Sequence, residues 1–135
     1  MLKGNMIHPE IMEALSLCGH GCKVLIADGN YPLRARTAGA KRVYLGLTPG
    51  LPTVTDVLKA LLSVSNFESA QVMLTEDGSE PEIFSDFRKL MPDVPLEAID
   101  KYSFYSACCE PMVELAISTG EQRTYANILL TIGCS

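Results

Sequence analysis

Two groups of residues have types and spacings that could carry chemistry. The first lies in the stretch LCGHGCKVLIADGNYP, where His20 stands between Gly19 and Gly21 and Asp28 follows eight residues later. Glycines on both sides remove side-chain bulk and leave an imidazole open to a ligand. Histidine, with an unperturbed pKa of about 6.5, serves as base and acid near neutrality. Asp28 is one short apolar run away, where its carboxylate could bond a ring nitrogen and fix the tautomer. The alternative is a histidine that is only structural, and the residues alone leave both readings open. The second group lies in TGEQRTYANILL, which brings Gly120, Glu121, Tyr125 and Asn127 near a turn and a strand start. Tyr125 and Asn127 are two apart, so on a strand they point to one face. A phenol and an amide side by side can donate to and accept from hydroxyl groups. The alternative is a half-buried tyrosine beside an asparagine that satisfies backbone.

Other chemistries fit less well. Cys18, His20 and Cys22 alternate, but zinc sites use cysteine pairs two to four residues apart with a distant second pair. The distant pair here, Cys108 and Cys109, is adjacent, and Cys18 falls on the apolar stripe of a helix. No metal is expected. A phosphate-cradling loop follows a strand and opens a helix, whereas GHG precedes a strand. LTPGLPT does precede a helix, but its two prolines leave few N–H groups for an anion. Cys22 beside Lys23 could be an activated thiol, yet no base and orienting group accompany it.

These residues need elements to position them. A helix is expected from Pro9, which suits a first turn, through Ile11, Leu15 and Cys18, ending at Gly19. KVLIAD is a buried strand, GNYPLRARTAGA a loop over its C-terminal end, and KRVYLGL a second strand. TVTDVLKALLSV is a helix capped by Thr53 or Thr55, with an apolar stripe of Val57, Leu58, Leu61 and Leu62. SAQVMLT is a strand, and GSEPEIFSDFRKLM a helix with Ser79 as cap and Arg88 and Lys89 late, matching the helix dipole. LEAID is a short strand and KYSFYSACC a short helix ended by Pro111. MVELAIST and YANILLTIG are two further strands, with GEQR as a turn between them. This alternation predicts an α/β fold with a mostly parallel central sheet and some antiparallel pairing near the C-terminus. Asp28 and its loop then lie at a strand's C-terminal end, where open α/β sheets bind ligands.

The totals bound the answer. The 135 residues make one domain, 1–135, with one sizeable core. No apolar run approaches the roughly 18 residues of a membrane span. Net charge is −5, from eleven basic and sixteen acidic residues, without a basic stripe. Nucleic acid and anionic membranes are therefore unexpected partners, and a neutral small molecule fits. The N-terminal residues lack the basic region and apolar stretch of a signal peptide. That absence and the odd count of five cysteines point to a cytoplasmic protein with reduced thiols.

Together these segments resemble the D-ribose pyranase/L-fucose mutarotase family. The likeness runs through MLKG, GHG, ADGNYP, GLPTVTDVLKALL, YSFYS and STGEQRTYANILLTIG. It implies a small three-layer α/β domain and an isomerase without cofactor, which interconverts cyclic forms of a free monosaccharide such as L-fucose or D-ribose. It also implies a cytoplasmic homo-oligomer with sites at subunit boundaries. On matching positions, His20 and Asp28 would be catalytic, and Tyr125 and Asn127 would bind sugar hydroxyls. Tyr105 falls where the family has an aromatic or histidine segment near the site. Where fucose-type proteins have Gly-His-Gly-Asp, Cys22 replaces the aspartate, and FYSAC lacks their arginine; LTPGLP and YANILL are closer to the ribose type. A rival expectation is a sugar-binding or regulatory protein without turnover.

Overall fold

The apolar run Lys23–Ala27 forms β1, whose last four residues are fully buried. A computed structural model describes residues 1–135. Strands β2 (Lys41–Tyr44), β3 (Phe67–Met73), β4 (Leu96–Ile99), β5 (Val113–Ser118) and β6 (Ile128–Ile132) join β1 in one six-stranded sheet of order β2-β5-β1-β6-β3-β4. Only β6 runs against the rest: it pairs antiparallel with β1 and β3, while the other three pairings are parallel. The two C-terminal strands are therefore not a hairpin, because β1 lies between them.

Side-chain alternation sends the two faces of the sheet into separate cores. Val24 and Ile26, with Val72, Leu115, Ile117, Ile128 and Leu130, meet helices α1 (Pro9–Leu17), α2 (Val54–Leu62) and α3 (Ile83–Leu90). Leu25 and Ala27, with Met73, Ala116 and Leu129, meet α4 (Lys101–Ala107) and the loop residues Tyr31 and Leu33. This is the expected three-layer α/β arrangement. Each fully buried leucine or isoleucine contributes about 1.5–3 kcal/mol by leaving water.

Local signals set the helix ends. Thr53 and Asp56 form a reciprocal capping box at α2: Asp56 N–H donates to Thr53 Oγ1 (3.1 Å) and Thr53 N–H to Asp56 Oδ2 (2.9 Å). These hydrogen bonds hold the Asp56 carboxyl below its usual range. The α2 stripe buries Val54, Val57, Leu58 and Leu61. In α1 only Ile11 is fully buried, and His8 Nδ1 caps it by accepting the Ile11 N–H at 3.3 Å. Ser79 is not the cap of α3. Its N–H donates to Asp77 Oδ1 within a turn, and α3 starts at Ile83 with no side-chain cap. The second strand also stops at Tyr44, three residues short of the expected run.

Candidate active site

The reversed direction of β6 decides what meets at the end of β1. Since β6 starts where β1 finishes, the residues before Ile128 lie against those after Ala27. Two reciprocal contacts clasp them. Asp28 N–H donates to Asn127 Oδ1 at 2.8 Å, and Ala126 N–H donates to Asp28 Oδ2 at 3.1 Å. Asp28 Oδ1 accepts the Asn30 N–H at 2.9 Å, closing a local turn of the kind aspartate favours. Gly29 lies so close to the 119–121 segment that a Cβ would sit 3.1 Å from the Glu121 carbonyl, which accepts the Gly29 N–H. The clasp leaves Asp28 2% exposed and Asn127 3% exposed. With Oδ1 committed, Asn127 turns its Nδ2, which has no protein acceptor, toward the adjoining crevice.

Tyr125 precedes the strand rather than belonging to it. It is half-buried, with φ of 56°, in the left-handed region that a non-glycine residue enters only when its surroundings hold it there. The expected same-face strand pairing of Tyr125 and Asn127 is thus replaced by a turn whose geometry the Asp28 carboxylate fixes. Both residues still line one crevice.

That crevice has a volume of about 180 Å³. Asp28, Asn127 and Tyr125 meet there with Asn30, Thr124 and Lys101, and Tyr31, Tyr105 and Met73 give it an apolar side. The aromatic wall is built edge to face. Tyr31 packs on Tyr105 with centroids 5.5 Å apart and on Phe104 at 6.1 Å. Tyr31 Oη donates to the Arg36 carbonyl at 3.1 Å, tying the loop to the wall. Burial pushes the Tyr31 hydroxyl well above the usual tyrosine range, so it stays a neutral donor.

Burial also raises the Asp28 carboxyl above its usual value. N–H bonds from Ala126, Asn30 and Tyr31 oppose this, and the nearby Glu121 charge adds to it. Glu121 shows the opposite balance. Burial pushes it up, but hydrogen bonds from Arg123 outweigh that and leave it below the usual range. Arg123 Nη2 donates to Glu121 Oε1 at 2.9 Å and Nη1 to Asp86 Oδ2 at 3.1 Å, so this glutamate is a brace for the 119–125 turn.

His20 stands elsewhere. It precedes β1, whereas Asp28 follows it, and roughly 16 Å of strand, at about 3.3 Å per residue, separates them. The ring is exposed, and Nε2 lies 3.1 Å from both carboxylate oxygens of Glu68. Gly21, at φ of 89°, makes the turn that presents it. A single chain therefore brings Asp28, Tyr105, Tyr125 and Asn127 together and leaves His20 at the opposite end of the central strands. The alternating thiols do not converge with it either. Cys22 Sγ accepts the Gly19 N–H, and all five cysteines are unpaired. Burial pushes the Cys18 thiol up to about 11, with Cys22 adding to the shift, and the Cys108 thiol up to about 12. Neither is a thiolate at neutral pH.

The sequence matches the RbsD / FucU transport protein family along residues 1–135. The chain belongs to that family. Among the RbsD / FucU proteins it resembles, the D-ribose pyranase of Clostridium novyi is 31% identical over 133 residues, 98% of each chain. The D-ribose pyranase of Chloroflexus aggregans is 26% identical over 133 residues, again 98% of each. Bacillus subtilis RbsD, solved in complex with D-ribose, superposes with a TM-score of 0.87 at 25% identity, covering 100% of this chain and 99% of that one. The fucose mutarotase of Streptococcus pneumoniae, solved with L-fucose, shares the fold with a TM-score of 0.78 at 23% identity, covering 96% and 94% of the two chains.

Sequence reasoning missed several crevice residues of this RbsD / FucU family member. Asn30 and Thr124 carried no signal beyond their turns. Lys101 did carry one: it follows Asp100, which caps α4 by accepting the Ser103 N–H at 2.9 Å, so Lys101 opens the helix that also holds Tyr105. No helix is long and apolar enough to cross a membrane.

Proposed function

We propose that the protein is a cytoplasmic sugar isomerase that interconverts anomers, or pyranose and furanose forms, of a free monosaccharide such as D-ribose or L-fucose by ring opening without a cofactor. The observation that carries the reading is the crevice at the Asp28–Asn127 clasp. It is monosaccharide-sized, rigid on the reading side and walled by tyrosines, in a chain whose full length resembles D-ribose pyranases. Asn127 Nδ2, Tyr125 and Asn30 offer donors and acceptors to sugar hydroxyls, and the Tyr105 face takes the apolar side of the ring.

Ring opening moves one proton from the anomeric hydroxyl to a base and delivers another to the ring oxygen. Asp28 is a carboxylate whose raised pKa suits proton exchange with an anomeric hydroxyl. The second group is His20, supplied by another protomer. The exposed His20–Glu68 pair, poised at the far end of the central strands, supports a homo-oligomer in which one subunit's imidazole closes the next subunit's crevice. Glu68 beside Nε2 orients the ring. Acid–base help of this kind is worth roughly 10²–10⁴-fold.

The test is saturation-transfer NMR of anomer and ring-form exchange on ribose and fucose. His20→Ala should lose roughly 10²–10⁴-fold of the acceleration while melting like the parent, since the side chain is exposed. Coexpressing His20→Ala with Asp28→Asn should then restore part of it, because mixed oligomers regain sites with both groups. A His20→Ala protein as fast as the parent would remove the assignment. A second reading, sugar binding without turnover, is favoured by the absence of His20 from its own crevice. It predicts ligand line broadening with no faster exchange.

A further inference from the structure

The turn that brings Tyr125 to the crevice is held by side chains alone. No backbone–backbone hydrogen bond engages residues 122–126, although such bonds hold Gly120 and Glu121 just before them. Two carboxylates take over that task. At the back of the turn, Asp28 Oδ2 accepts the Ala126 N–H at 3.1 Å. At the front, Glu121 Oε2 accepts the Arg123 N–H at 3.3 Å. Thr124 and Tyr125 lie between these two points, and both line the crevice. Tyr125 keeps its φ of 56° there, a conformation that persists in a non-glycine residue only when its surroundings over-determine it.

The front clamp depends on the Arg123 guanidinium. Glu121 is 4% exposed, and a buried carboxylate needs a partner. Arg123 supplies it with a fork, Nε to Oε2 at 3.2 Å and Nη2 to Oε1 at 2.9 Å. Its Nη1 reaches the other way, to Asp86 Oδ2 at 3.1 Å on α3, a helix fixed by the buried side chains of Ile83, Phe84 and Phe87. Glu121 is anchored in turn. Its N–H donates to Thr119 Oγ1 at 3.2 Å, and that hydroxyl donates to the Ala27 carbonyl at 2.8 Å, at the end of β1. Its own carbonyl accepts the Gly29 N–H. The guanidinium therefore spans from a fixed glutamate to a fixed helix and pins the chain one residue before Thr124.

We propose that Arg123 is a positioning residue for the sugar exchange proposed above, a role that rests on the isomerase reading. Arg123 does not line the crevice itself. By bridging Glu121 and Asp86 it fixes the entry to the Thr124–Tyr125 turn, so that the Tyr125 phenol meets a sugar hydroxyl in one orientation. Lysine is no substitute, because an ammonium lacks the planar fork that takes both oxygens of Glu121 and still reaches Asp86. A hydroxyl contact made equally in the ground and transition states sets KM rather than kcat. Loosening the turn therefore weakens sugar binding and spares the proton transfers.

The test compares the parent, Arg123→Met, Asp86→Asn, Tyr125→Phe and the double variant Arg123→Met with Tyr125→Phe, each kept well below its melting temperature. The backbone carbon NMR shifts of Tyr125 are read first, without sugar, because they separate a left-handed residue from an extended one. They should move toward extended values in Arg123→Met and part of the way in Asp86→Asn. Unmoved shifts in Arg123→Met would overturn the proposal. Saturation-transfer kinetics on D-ribose and L-fucose follow. Arg123→Met should raise KM by roughly 10-fold, the worth of one hydrogen bond, with kcat nearly unchanged. In the Tyr125→Phe background the same change should raise KM no further. An equal further rise there, an unchanged KM, or a fall in kcat alone would mean that Arg123 does not act through Tyr125, and would overturn the proposal. If the parent speeds exchange of no sugar, the isomerase reading fails, and the Tyr125 shifts alone decide whether Arg123 sets the turn. If Arg123→Met does not fold, Asp86→Asn decides: a partial shift at Tyr125 upholds the role, and none overturns it.

Discussion

Asp28→Asn is the most informative single change, because the carboxylate receives a backbone N–H on each oxygen. An asparagine supplies one carbonyl oxygen. Either Asn30 or Ala126 must then point its N–H at an amide nitrogen in a site only 2% exposed. An unsatisfied buried donor costs about 1–3 kcal/mol, and removing a buried charge returns part of that, so a net loss of about 1–2 kcal/mol is expected at neutral pH. The pH dependence adds a sign. The folded pKa of Asp28 lies above its unfolded value, so the folded state binds the proton more tightly. The contribution of this group is then greatest below the unfolded pKa and declines as pH rises through the folded pKa. The variant cannot titrate there, so its deficit relative to the parent should be larger at pH 4 than at pH 8. Urea unfolding of both proteins across that range measures the difference, and groups common to both cancel. A deficit that grows toward pH 8 would mean that the clasp favours the anion, and the reasoning about burial would fail. Exchange activity should fall with the clasp, because the left-handed Tyr125 turn depends on it.

Gly120→Ala should destabilise the protein by roughly 1–3 kcal/mol, visible in thermal melts, because the added Cβ would lie 2.6 Å from the carbonyls of Thr48 and Leu51 and the 48–52 loop must move. Arg123→Met leaves Glu121 without its guanidinium and should cost about 1–3 kcal/mol at neutral pH. The pairing holds Glu121 below its usual pKa, so its stabilisation is present above the unfolded glutamate pKa and lost as pH falls through the folded one. The deficit in urea unfolding should therefore shrink on acidification. Thr53→Ala removes half of the capping box at α2 and should cost about 1 kcal/mol without altering sugar exchange.

Most elements could be read from the chain because their signals are local. The Thr53 cap, the α2 stripe, the β1 run and the Pro9 start each depend on residues within one turn of each other. What could not be read depends on which strand lies beside which. The proximity of His20 and Asp28 in sequence hides their separation in space, since the strand between them is extended. The Asp28–Asn127 contact spans 99 residues and exists only because β6 enters the sheet backwards beside β1. Tyr125 and Asn127 were recognisable as a pair, but the strand expected to begin at Tyr125 begins three residues later, at Ile128. Ser79 failed as a cap because its neighbours Thr75 and Asp77 take it into a turn.

The course of β6 has one more consequence. The strand leaves the Tyr125–Asn127 turn, crosses the sheet, and at its far end its Ile132 carbonyl accepts the N–H of Gly21, next to His20. One five-residue rod thus braces both the turn that lines the crevice and the loop that presents the imidazole. In the proposed homo-oligomer, each rod would tie the crevice of one site to the imidazole lent to the next, so distortion at one crevice would be passed along backbone hydrogen bonds to its neighbour.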